Sequence, residues 1–221
     1  MPIPCIRKKL SEDEVHSAAG VILNEGMRLE ALSFKLLELI TLDKIDFRLE
    51  ETRISEIIAD CVETAHEAAR KHNTEIVYSA DEAWVWLEYD LFKTMLLNLI
   101  DNAVKSGGSK VDVSGRFISH SIYRIAVSDN GRGIPPEDIE RITEAFYMVD
   151  KSRSRSEHGA GLGLALVSRI AKLHDTKIHY ESESGKGTKV YFDMKDGGIG
   201  MRSKHYQCAN VLIKNRIKSR E

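Results

Sequence analysis

At 221 residues the chain can hold one domain of ordinary size with a smaller element beside it. Its 42% hydrophobic and 30% charged content excludes a disordered or fibrous protein, and a formal net charge of −2 gives no electrostatic basis for nucleic-acid binding. Cys5, Cys61 and Cys208 stand far apart with no CxxC pair, so they indicate neither a disulfide framework nor a zinc site, and a reduced, cytoplasmic compartment fits best. No apolar run is long enough to span a bilayer and no signal-peptide pattern opens the chain.

Residues 1–10 read as an N-terminal extension. Residues 11–42 read as one long amphipathic helix, opened by a capping box of Ser11 and Glu14. Val15, Ile22, Leu29, Leu32, Leu36, Leu37 and Ile40 then recur at helical spacing on one broad face, which needs a partner to be stable in water. Residues 43–53 form a polar linker. A folded unit follows over residues 54–195. It begins with a helix at 54–71, two short strands near 74–78 and 83–87, and a helix over 90–105 that Gly107 and Gly108 end. Alternating strands are expected at 110–117 and 121–128. A loop-rich stretch, 130–160, carries one short helix near 136–142. A helix over 162–173 and a hairpin of 177–182 with 189–193 complete the unit. The order of elements predicts an α/β two-layer sandwich, three helices over one mixed, mostly antiparallel sheet, preceded by the long helix. Residues 196–221 read as a basic tail, expected to be solvated and poorly ordered.

Polar and glycine-rich motifs interrupt this pattern in a fixed order. Asn98, Asn102 and Lys105 in LLNLIDNAVK lie at i, i+4 and i+7 on one helix face, among the apolar Leu96, Leu97, Leu99 and Ile100. DNGRGI (129–134), HGAGLGLAL (158–166) and GKGT (185–188) follow. One such run alone would be an ordinary turn. Together they resemble the N, G1, G2 and G3 boxes of the GHKL, or Bergerat, ATP-binding fold shared by sensor histidine kinases, gyrase-type topoisomerases and Hsp90 chaperones, over roughly residues 54–193.

The resemblance implies a Mg-ATP site, and the residue chemistry is consistent with one. The carbonyl oxygen of Asn102 is a hard ligand suited to Mg²⁺, Lys105 offers a charge to a phosphate, and Asn98 supports the same site. Asp129 can only accept hydrogen bonds, which suits the exocyclic amine of adenine and rejects a guanine carbonyl. Gly131 and Gly133 let the backbone approach the base. Gly159, Gly161 and Gly163, with Leu162 and Leu164 at the opening of a helix, make an anion site for phosphates from backbone N–H groups. The stretch between Phe146 and Gly159 is similar to the family's mobile ATP lid. Phe146 and Tyr147 are its aromatic anchor, and Lys151, Arg153 and Arg155 supply cations for the γ-phosphate. Thr188 belongs to the ATP-binding set, while Gly185 and Gly187 shape a hairpin.

The N box separates the family's branches. Related ATPases and serine kinases carry a glutamate, a general base, four residues before the metal asparagine. Here that residue is Asn98, as in histidine kinases, whose acceptor imidazole needs no base. The helix at 11–42 is similar to the second helix of a histidine-kinase dimerisation hairpin. No histidine has the family's His-Glu-x-Arg-Thr-Pro setting: His16, His66 and His174 all lack it. The sequence therefore reads as the C-terminal part of a sensor histidine kinase, transferring the γ-phosphoryl of ATP to a histidine in trans. Its expected partners are an intact kinase or hairpin bearing that histidine, indirectly a response regulator, and a second copy through the N-terminal helix. The alternative is a nucleotide-binding module that docks on a kinase and regulates it; steady ATP hydrolysis is disfavoured by Asn98.

Overall fold

A computed structural model of the chain describes residues 11–42, 47–149 and 161–195. Expectations for residues 1–10, for the lid residues Lys151, Arg153, Arg155 and Gly159, and for the basic tail lie outside them. Helix α1 (Glu12–Thr41) starts as expected, with the Ser11 side chain accepting from the Glu14 N–H and the Glu14 carboxylate accepting from the Ser11 N–H. Strand β1 (Glu50–Arg53), helix α2 (Ile54–Lys71), strands β2 (Glu75–Ala80) and β3 (Trp84–Leu87) and helix α3 (Tyr89–Val104) follow. Strands β4 (Lys110–Ser119) and β5 (Ile122–Asp129), helix α4 (Gly163–Leu173) and strands β6 (His179–Glu183) and β7 (Gly187–Lys195) complete the described order.

The main sheet runs β2-β4-β5-β7-β6, with β2 parallel to β4 and the other neighbours antiparallel. Strand alternation turns Val111, Val113, Tyr123, Ile125, Val127 and Phe192 to one face, where they are buried. Helices α2, α3 and α4 cover that face and together with it form one apolar core. The opposite face carries charge instead. Arg124 makes two hydrogen bonds, of 2.7 and 2.9 Å, to Asp193 directly across the β5–β7 pair. That guanidinium holds the Asp193 carboxyl below its usual range. The fold is thus the two-layer α/β sandwich that the sequence pattern indicates, with a long helix in front of it.

Two local expectations are corrected. Residues 50–53, read as the end of a connector, pair antiparallel with β3 as a separate two-stranded sheet. Residues 136–142, read as a short helix, are a run of turns closed mostly by i→i+3 bonds such as Arg141 N–H to the Asp138 carbonyl. The seven residues 136–142 can close too few intrahelical bonds to offset the cost of nucleating a helix.

Helix α1 presents two apolar faces where the sequence suggested one. Leu32, Leu36 and Leu39 are half-buried and Leu42 is buried, along the side that meets α4. Val15, Ile22, Leu29, Leu37 and Ile40 face solvent, Ile22 with 73% of its surface exposed. The predicted stripe is therefore shared between the domain and the outside.

His174, at the end of α4, is structural. Its Nε2 accepts the Glu88 N–H at 3.1 Å, so Nδ1 carries the proton that it shares with the Ile170 carbonyl at 3.0 Å. Phe47 and Phe92 close on the ring edge-on. Burial holds the imidazole below its ordinary value of 6.5, so the native state keeps the ring neutral where the unfolded chain takes up a proton. Protonation favours the unfolded chain, so this stability is complete above about pH 6.5 and declines as pH falls towards the lowered folded value. Urea unfolding at pH 7.5 and 5.5 should show a lower midpoint at the acid pH. His174→Gln, which keeps an acceptor but cannot titrate, should reduce that difference; an unchanged difference would remove His174 as its source.

Candidate functional site

Helix α3 is apolar where it crosses the sheet and polar at its rim. Leu96, Leu99, Ile100, Ala103 and Val104 are buried, while Asn98, Asn102 and Lys105 stay at the edge facing α4 and the loops. The Asn98 amide donates to the Thr94 carbonyl, one turn back, at 2.8 Å. That bond turns Oδ1 outward, where it accepts from the Lys35 ammonium of α1 at 3.2 Å. The same oxygen lies 3.0 Å from where a Cβ on Gly163 would stand, and the Asn102 amide nitrogen lies 3.7 Å from it. The first residue of α4 has to be small so that its N-terminus can come up to both asparagines.

Lys105 is paired with Asp101 one turn back at 2.7 Å. Asp129, at the end of β5, accepts the Gly131 N–H through Oδ1 at 2.8 Å. Its other carboxylate oxygen has no partner among the described residues. A cavity of about 280 Å³ opens between α3, α4, α1 and the loops, and Asn102, Lys105, Asp129, Gly161, Gly163 and Thr188 all reach its wall. Val127, Val190 and Ile142 supply apolar wall, as a flat aromatic base requires. Gly133, Tyr147 and Leu164 line it too. Gly131 packs instead on Ser106, and Leu162 is fully buried and does not line the cavity.

The aromatic pair divides. The Tyr147 hydroxyl donates to the Asp138 carboxylate, and the Arg141 guanidinium lies 4.2 Å over its ring. Phe146 takes a positive φ of 67° and is 54% exposed, away from the cavity wall.

The loops are fastened by contacts that motif reading misses. Ser182 Oγ accepts the Ile134 N–H at 2.7 Å and donates to the Gly187 carbonyl at 3.0 Å. Its only proton is thereby used, so the Thr188 hydroxyl donates to Ser182 at 2.9 Å and keeps its lone pairs for the cavity. Gly185 N–H donates to the Arg132 carbonyl at 2.6 Å. A Cβ on Gly187, where φ is 101°, would stand 2.0 Å from the Asp129 carbonyl oxygen. No signal in a single sequence marks Ser182 as the link, because it lies on β6, outside the glycine runs.

These contacts fit a purine nucleotide. The cavity wall combines an acceptor carboxylate and apolar side chains with an asparagine carbonyl, a lysine and an uncapped helix N-terminus. Among the described residues no group of three or more His, Cys, Asp or Glu could hold a metal by itself. One asparagine oxygen plus phosphate oxygens and waters is the donor set that Mg²⁺ accepts.

Comparison with known proteins is consistent with this geometry. Residues 87–198 match the family model described as "Histidine kinase-, DNA gyrase B-, and HSP90-like ATPase". The sensor-like histidine kinase SenX3 of Mycobacterium tuberculosis is 34% identical over 181 residues, 80% of this chain and 44% of that protein. The sensor histidine kinase YclK of Bacillus subtilis is 31% identical over 189 residues, 81% of this chain and 39% of that protein. The chain thus spans less than half the length of these curated relatives. Among solved structures, full-length ShkA in complex with AMPPNP matches with a TM-score of 0.70 at 26% identity, over 86% of this chain and 40% of that one. No helix among the described residues is long and apolar enough to cross a membrane.

Gly187→Ala forces a strained φ and a backbone clash that no side-chain rotation relieves. We expect a loss of roughly 2–4 kcal/mol in urea unfolding and weaker nucleotide binding, because Asp129 is displaced. Gly185→Ala, at φ 81° but with no atom within 4 Å, should cost about 1 kcal/mol and spare binding. Equal effects of the two would remove the close approach as the cause.

Proposed function

This chain belongs to the histidine kinase-, DNA gyrase B- and HSP90-like ATPase family and is homologous to sensor histidine kinases, and on that premise we propose that it is a kinase's catalytic part, moving the γ-phosphoryl of ATP to a histidine on another polypeptide. The observation that carries this reading is the convergence of Asp129, Thr188, Asn102, Lys105 and Gly163 on one cavity with an asparagine, Asn98, where a hydrolase needs a base.

ATP, when bound with Mg²⁺, supplies the phosphoryl group and ADP as its leaving group. The chain's own residues position it. The unpartnered oxygen of Asp129 accepts the adenine amine, and Thr188 beside it pairs with a ring nitrogen or a bridging water. Asn102 gives the metal its protein oxygen. The N–H groups at the start of α4 bind phosphate oxygens, and Lys105, shared with Asp101, tempers their charge. Asn98 removes no proton, and none needs removing from a neutral imidazole acceptor. Catalysis rests on positioning and charge neutralisation.

No acceptor pattern stands on the described helices. His16 is held by its Nδ1 to the Glu12 carbonyl at 3.1 Å, His66 lies on the exposed side of α2, and His174 is locked in the core. The acceptor is therefore a hairpin histidine of a dimerisation helix pair, in a cytoplasmic kinase assembly that also serves a response regulator. The solvent-facing Val15, Ile22, Leu29, Leu37 and Ile40 of α1 are the surface for a second copy or an intact kinase. The same surface favours a second reading, a nucleotide-binding module that docks on a kinase and holds it inactive.

Incubation with γ-labelled ATP, Mg²⁺ and a hairpin bearing its histidine should give acid-labile, alkali-stable label on the hairpin. Asn102→Ala should lower the rate on the order of a hundredfold, and Asp129→Asn should weaken ATP binding roughly tenfold. Nucleotide binding without transfer, together with inhibition of an intact kinase, would leave the docking module as the function.

A further inference from the structure

The long helix contributes a cation to the nucleotide cavity. Lys35, on the inner side of α1, is half-buried and lines the same cavity as Asn102 and Gly163. Its hydrogen-bond partner among the described residues is the neutral oxygen of Asn98, at 3.2 Å, and no carboxylate there pairs with it. Lys105 differs in this respect, since Asp101 balances its charge at 2.7 Å.

The place where Lys35 is held makes the imbalance larger. Asn98 Oδ1 lies 3.0 Å from the Cβ position of Gly163, so the ammonium borders the first turn of α4. That eleven-residue helix has no side-chain cap and no acidic residue in its first turn, which leaves its N–H groups and the positive end of its dipole open to the cavity. A half-buried ammonium and a positive helix end repel one another unless an anion lies between them. Asn98 relieves this only with a dipole.

We propose that Lys35 binds the terminal phosphate of a nucleoside triphosphate, so that the triphosphate, and not the diphosphate, ties α1 to the catalytic domain. This rests on the reading of the cavity as an ATP site. The sequence alone does not show it, since Lys35 stands 63 positions before Asn98, the first motif residue, and interrupts an apolar stripe. Chemically, the ammonium exchanges its neutral amide partner for a charged phosphate oxygen, a stronger hydrogen bond. Nucleotide state then sets how firmly the half-buried Leu32, Leu36 and Leu39 are seated on α4.

Calorimetric titration of the whole chain with ADP and with a non-hydrolysable ATP analogue, both with Mg²⁺, tests this. Lys35→Ala should weaken the analogue roughly tenfold, the loss of one charge-assisted hydrogen bond, and leave ADP within about twofold. Lys35→Arg should restore most of the difference. In the unsubstituted chain, the analogue but not ADP should slow amide exchange in α1 around Lys35. An analogue-to-ADP ratio unmoved by Lys35→Ala, or tighter analogue binding by that variant, would overturn the proposal while leaving the ATP site intact. ADP binding by the variant reports that it is folded. An unsubstituted chain that binds neither nucleotide would overturn the ATP reading and this one with it.

Discussion

Everything in the site depends on one helix meeting two opposite demands. Helix α3 lies over the sheet between α2 and α4, so residues such as Phe92, Leu96, Leu99 and Ile100 must be apolar and close-packed. Its rim has to stay polar within the same few turns. The asparagines solve this because their amides are neutral and small. Asn98 satisfies its donor on its own helix and turns only an oxygen outward. A carboxylate there would sit beside the N-terminus of α4 and the ammonium of Lys35, and would neutralise them in place of a ligand. The neutral rim keeps the cavity's charge balance open for a ligand.

The loops around the cavity are held by backbone more than by side chains. The Asp129 carbonyl and Gly187 nearly touch, Gly133 lies against the Glu183 carbonyl, and the hydroxyl of Ser182 bridges both segments. Such contacts have little freedom to relax, so the carboxylate of Asp129 is presented in one orientation. The groups behind it are equally inert. Burial pushes the Cys61 thiol up to about 12 and raises the phenol of Tyr123, so neither titrates near neutrality. The core contributes shape and no chemistry of its own.

Much of this was legible in the sequence, for identifiable reasons. Helix and strand periods exposed α2, α3, α4 and the main strands, because each buries one face against one layer. The asparagine face and the glycine runs were legible because polar residues inside an apolar helix and close backbone approach accept few residue types. What stayed hidden depends on pairing between distant segments. Strand β1 exists only through β3, since Glu50–Arg53 is too short and polar to show a period. Ser182 and Lys35 act through partners 48 and 63 residues away. The stripe on α1 was visible, but its division into a seated side and a free side is set by the surface of α4.

The order of strands has a consequence for how the protein comes to be folded. The β4–β5 and β6–β7 pairs are neighbours in the chain and close small loops, whereas β5 meets β7 only across the whole intervening segment with α4. Closing that long loop costs more chain entropy than either hairpin, so it follows them. Asp129 and Thr188 are register partners at one end of that late pairing. A nascent or partly unfolded chain can therefore have both hairpins and most of its helices and still lack the Asp129–Thr188 corner of the cavity. A ligand that bound across that corner, as proposed for ATP, would act as a staple on the last seam to close and would select only those molecules that have finished folding.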